Sequence, residues 1–187
     1  MKKFLKTIGD KFSDKTTTTT EKLHLKAQFG GLLISAKLRH LSFADGTATL
    51  VLDIDRELKY DGLIDIGNGQ IIFNINDSIN INIEANENYV DAATIEDNNG
   101  NKSSFYIESA YYELSQELLA QICEAKTLDI KIEGTDGDEI VKGDKFLIYC
   151  RKFYNQFYDN TKYPEVANAQ VFGRWNRITN WLNNKLG

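Results

Sequence analysis

The chain has 187 residues, 42 % of them apolar and 26 % charged, with one Pro and 13 Gly. This composition excludes collagen-like and Pro-rich disordered chains. The length suits one domain that buries roughly 70 % of its unfolded surface without disulfides or a structural metal. The formal net charge of −5 is unevenly spread. Residues 1–26 carry seven lysines against three acids, and residues 151–187 carry six cations against two acids. Between them, residues 27–150 hold nine cations and 22 anions, so an acidic body separates two basic ends. Such a body repels phosphate backbones, and no nucleic-acid partner is expected.

Met1-Lys2-Lys3 opens like a signal peptide, but Lys6, Asp10 and Lys11 break the apolar run that one requires. No stretch approaches the ~18 apolar residues that span a bilayer. The expected compartment is the cytoplasm, where Cys123 and Cys150 stay as thiols and the sequons at Asn76 and Asn101 carry no meaning. Met1, Phe4, Leu5, Ile8 and Phe12 recur at helical spacing with lysines between them, which predicts a short basic amphipathic helix over 1–13. Thr16–Thr20 then reads as an exposed linker. The predicted organisation is an appendage over 1–20 and a single domain over 21–187, β-rich at 21–110 and helical at 113–187.

From residue 21 the apolar period becomes two. Leu23 and Leu25 open a half-buried strand, Leu32–Leu38 forms the next, and Asp45-Gly46 turns the chain into Thr47–Asp55. Leu63–Ile66 and Ile71–Ile75 flank Gly67-Asn68-Gly69, which reads as a tight hairpin. Ile79, Ile81 and Ile83 alternate with Asn80 and Asn82, predicting buried isoleucines and a wet asparagine face. A further hairpin joins Ala92–Glu96 to Ser104–Glu108.

Ser115 is placed to cap a helix reaching about Lys126, followed by a strand at Leu128–Ile132 and a turn at Gly134–Asp138. A second helix begins near Asp144, with Phe146, Leu147, Cys150, Phe153 and Phe157 on its apolar stripe. A last amphipathic helix fits Val166–Leu186. The predicted class is therefore α+β. A mostly antiparallel β-sheet or sandwich over about 21–110 is followed by helix-strand-helix elements that cover one face.

Motifs for chemistry are few. Asp53, Asp55 and Glu57 share one strand face at ~7 Å intervals, a pattern that suits oxygen ligands for a divalent cation but also a solvated face. Gly134–Glu139 fails the register of a calcium loop and reads as a turn. His24 and His40 have no nucleophile motif beside them, and no phosphate-cradling or dinucleotide motif occurs. No cofactor and no metal are expected. Cys123 and Cys150 fall on apolar helix faces, as packing residues do.

The function expected is a non-enzymatic interaction module with basic amphipathic ends. Phe4, Leu5, Ile8, Phe12, Trp175 and Trp181 are its candidate contacts with a protein partner, a second copy or an anionic membrane. One alternative is metal-assisted hydrolysis at Asp53, Asp55 and Glu57 with His40 as base. Another is a small-ligand carrier with a closed apolar cavity.

Overall fold

A computed structural model describes residues 4–10, 14–26, 33–58, 63–96, 100 and 102–166. The chain is α+β, and its described strands all pair antiparallel. Strands β1 (Leu5–Gly9), β2 (Lys15–Thr20), β3 (Leu23–Lys26), β4 (Leu33–Phe43) and β5 (Ala48–Leu58) come first. A 3-10 turn at Ile66–Asn68 leads to β6 (Gln70–Ile75), β7 (Ile79–Glu84), β8 (Glu87–Glu96) and β9 (Lys102–Leu114). Helix α1 (Gln116–Glu124), β10 (Leu128–Glu133), β11 (Asp138–Lys142) and helix α2 (Asp144–Phe157) follow. Sheet A runs β1-β2-β4-β5-β9-β8 with β3 also on β4, and sheet B runs β11-β10-β6-β7.

Alternation explains the core. Ala36 and Leu38 of β4 lie in register with Ile54 and Leu52 of β5 and through them with Ala110 and Tyr112 of β9, all buried, as is Ile34 on the same face. Leu128, Ile130 and Ile132 line up with Ile75, Phe73 and Ile71 on the inner face of sheet B. Helix α2 presents Phe146, Tyr149, Cys150 and Phe153 between these faces, and the Phe146 and Phe73 rings stand 6.0 Å apart. Each such large side chain contributes about 1.5–3 kcal/mol by leaving water. Ser115 caps α1, its Oγ accepting the Leu118 N–H at 3.0 Å.

The N-terminal helix and threonine linker are not what forms. Residues 5–9 and 15–20 make a β-hairpin with Leu5 opposite Thr20 and Gly9 opposite Thr16. Five consecutive β-branched residues favour the pleated backbone, and Thr7 and Thr18 join their hydroxyls across the pair at 3.0 Å. Helical spacing misled because, of its described members, Phe4 is buried, Leu5 half-buried and Ile8 49 % exposed. The boundary between residues 20 and 21 falls between β2 and β3, inside sheet A.

There the chain makes a β-bulge. Thr19 pairs with Arg39 and Leu23 with Ala36, so Glu21 and Lys22 together oppose Lys37. The extra residue switches the inward set from Thr18 and Thr20 to Leu23 and Leu25.

Gly67-Asn68-Gly69 is not a hairpin tip either. Residues 63–65 form no strand, and Asp65 turns the chain at φ 57° into the 3-10 turn. Close backbone approach dictates this: a Cβ on Gly69 would lie 1.7 Å from the Glu133 carbonyl oxygen, and one on Gly134 would lie 1.7 Å from that of Ile64. Ile79, Ile81 and Ile83 do share the inner face of sheet B, in register with Ile75, Phe73 and Ile71. Their burial is incomplete, with Ile79 53 % exposed, because β7 is the outermost strand of sheet B among the described residues. Of the last predicted helix, only Val166 lies within the described residues. Among those residues no helix is long and apolar enough to cross a membrane.

Candidate functional site

Strand β5 presents Asp53, Asp55 and Glu57 on the face of sheet A opposite Leu52 and Ile54, as alternation requires. Cations and hydroxyls occupy the first two. Asp53 Oδ1 accepts from Arg39 Nε at 2.9 Å and Nη2 at 2.6 Å, and Lys37 Nζ stands 3.7 Å from Oδ2. Asp55 Oδ2 accepts from Lys22 Nζ at 2.6 Å and Ser35 Oγ at 3.3 Å, while Oδ1 accepts from Ser109 Oγ at 2.8 Å. Burial raises the Asp53 carboxyl above its ordinary value, against the opposing pull of Arg39 and Lys37. His40 pairs with Leu50 on the inner face, so sheet A separates the suggested base from all three carboxylates. Among the described residues, no three His, Cys, Asp or Glu side chains converge as metal ligands.

His40 ends the inner row of β4. Its ring lies 4.3 Å from that of Phe157, and Nδ1 is 3.1 Å from Ser42 Oγ. Burial pushes the imidazole below its ordinary pKa. Beside it opens a cleft of about 450 Å³ whose lining includes Leu50, Glu113, Gln116 and Tyr158. A second cleft, also about 450 Å³, joins Leu5 to Lys152, Asn155, Gln156 and Asn160. Both open to solvent, unlike the enclosed cavity of a carrier.

The terminal candidates divide sharply. Phe4 is buried against Tyr149, ring edge to face at 5.5 Å, with Lys152 Nζ 5.3 Å from its centroid. Leu5 is half-buried beside α2, and Ile8 stands exposed on β1. Phe12, Trp175 and Trp181 lie outside the described residues.

A buried ionic cluster went unread in the sequence. Arg56 continues the inward row of Leu50, Leu52 and Ile54 and is 3 % exposed. Its Nη1 donates to Glu108 Oε2 at 2.8 Å, and its Nη2 to Glu139 Oε1 at 2.9 Å. Glu108 Oε1 also accepts the N–H groups of Ile64 and Asp65 at 3.0 and 2.8 Å. The cluster thus ties sheet A, sheet B and the 63–65 segment together. The signal was available: an arginine at a core position of a strand demands a carboxylate partner. The thiols, by contrast, are inert. Burial lifts Cys123 to about 12 and Cys150 well above its ordinary value.

Among the described residues, Ile8, Ile79, Tyr89 and Val90 are large apolar side chains exposed on the outer strands β1, β7 and β8, while exposed Phe43 and Leu63 lie elsewhere. Strand β8 pairs only with β9 among the described residues, and this pairing runs from Glu87 opposite Tyr111 to Glu96 opposite Lys102. Tyr89 and Val90, 55 % and 51 % exposed, project from opposite faces of β8. Glu87 and Asp91, both exposed, bracket them. Sequence reading started this strand five residues late and missed the pair. Adjacent apolar residues inside an acidic strand were the available clue.

No family model, no curated protein and no solved structure matches this chain.

Proposed function

We propose that the protein is a non-enzymatic interaction module whose partner is a protein segment that adds to the β8 edge as a further strand. The observation that carries this reading is the ten-residue edge itself, exposed on both faces around Tyr89 and Val90. Among the described residues its outer side has no partner strand, so its N–H and C=O groups can receive an incoming one. Glu87 and Asp91 select a basic segment, and they disfavour an anionic membrane or nucleic acid at this edge. The paired state of Asp53 and Asp55 and the inertness of both thiols support binding over catalysis. We place this activity in the cytoplasm.

The test is a display selection of ten-residue peptides against the whole chain, followed by amide chemical-shift mapping with the strongest binder. Basic, β-branched sequences that perturb residues 87–92 are expected. A Tyr89→Glu, Val90→Glu variant with an unchanged melt should lose at least tenfold in affinity. Binders that ignore this variant, or the absence of any binder, overturn the reading.

A further inference from the structure

The two ends of sheet A and one end of sheet B carry charges: Lys6 on β1, Glu87 and Asp91 on β8, and Asp138 and Lys142 on β11. Such charges are the usual guard against pairing with another copy. Among the described residues β7 is the other end of sheet B, and it differs, because Ile79-Asn80-Ile81-Asn82-Ile83, ahead of Glu84, is uncharged and contains neither Pro nor Gly. Two further facts make this edge self-complementary. Its isoleucines all lie on the inner face of sheet B and remain partly or fully exposed there. Its asparagines lie on the other face, where Asn80 Oδ1 already accepts the Asn74 amide at 2.6 Å from the neighbouring strand.

We propose that β7 is the contact between two copies of this chain, which pair antiparallel about Ile81 and extend sheet B from four strands to eight. Side-chain parity fixes the register. A two-fold at Ile81 sets Ile81 against its own copy, Ile79 against Ile83, and Asn80 against Asn82. A shift by one residue would set isoleucine against asparagine and put the apolar face in water. The contact is isologous, so it closes at two copies rather than growing into fibres. No like charges meet, since Glu84 falls opposite Ser78. The Asn74–Asn80 amide pair inside one subunit shows the side-chain geometry that Asn80 and Asn82 repeat across the two-fold. The same strand on β8 would bring Glu87 and Asp91 of both copies together, which is why β7 is the self-contact and β8 is not.

The test is sedimentation velocity over a concentration series, with hydrogen exchange on β7. Wild-type protein should dimerise, and amides of residues 79–83 should gain protection as concentration rises. Asn80→Lys with Asn82→Lys sets lysine against lysine and should weaken the dimer at least tenfold without changing the melt. Asn80→Glu with Asn82→Glu should do the same. An equimolar mixture of the two variants should restore a dimer, now a heterodimer. The Tyr89→Glu, Val90→Glu variant should leave self-association untouched, so failure of the β8 reading and failure of this one are separable. A wild-type chain monomeric at millimolar concentration overturns the proposal. So do concentration-independent protection of β7, which would mean that the chain's own segment covers it, a lysine pair that dimerises like wild type, and a mixture that stays monomeric.

Discussion

Tyr149 Oη donates to the carbonyl oxygen of Glu21 at 2.9 Å, so a residue of α2 satisfies the backbone of the bulge between β2 and β3. The same hydroxyl meets Thr20 Oγ1, which in turn accepts the Leu38 N–H at 3.0 Å. The bulge is therefore held by a helix more than 120 positions away in sequence. Tyr149→Phe removes the donor but keeps the ring against Phe4 and Phe146. It should cost about 1–3 kcal/mol, the penalty for a buried polar group left without its partner, and urea unfolding measures it. An unchanged midpoint would mean that the bulge is satisfied without α2.

Arg56 supplies the second test. Arg56→Met leaves Glu108 and Glu139 facing one another with no cation, and breaking a buried pair in this way costs about 3–5 kcal/mol. Combining Arg56→Met with Glu108→Gln and Glu139→Gln removes the charges together and should recover a large share of that loss. Chemical denaturation of the single and triple variants decides the matter. Equal stabilities would show that charge is not what the cluster balances.

Deletion of residues 1–20 should remove the cooperative melt or lower its midpoint by many degrees. The truncation takes away β1 and β2, strips Phe4 from the core and leaves the 39–43 end of β4 as a new edge. Circular dichroism on the truncated chain checks this. A melt like that of the intact protein would make the hairpin an appendage after all.

Acid stability should follow the two histidines. Burial lowers the pKa of both His24 and His40, with Glu57 opposing the shift at His24. The folded state therefore binds fewer protons than the unfolded one just below the ordinary imidazole value of 6.5. Stability from this source is complete above that pH and declines as the pH falls toward the folded-state values. A melting series from pH 7.5 to 5, repeated on His24→Asn with His40→Asn, should show a shallower decline in the double variant. Imidazole proton titrations followed by NMR give the two shifts directly.

Local pattern determined much of this protein. The alternation at Leu128–Ile132, the Ser115 cap and the aromatic stripe from Phe146 to Phe157 each encode their element within a few residues, because a period of two or 3.6 is a local property. The facing of Ile79, Ile81 and Ile83 was legible for the same reason, and so was the common face of Asp53, Asp55 and Glu57. Tertiary structure decided what those faces meet. Arg39 and Lys37 reach Asp53 only because β4 lies beside β5, and β7 keeps Ile79 exposed only because nothing described flanks that edge. The first twenty residues show the same division. Their apolar spacing permits a helix, but β4 offers Thr16–Thr19 a ladder of backbone partners and α2 offers Phe4 a buried seat. Paired hydrogen bonds and burial outweigh the marginal stability of so short a helix, and no local pattern contains either partner.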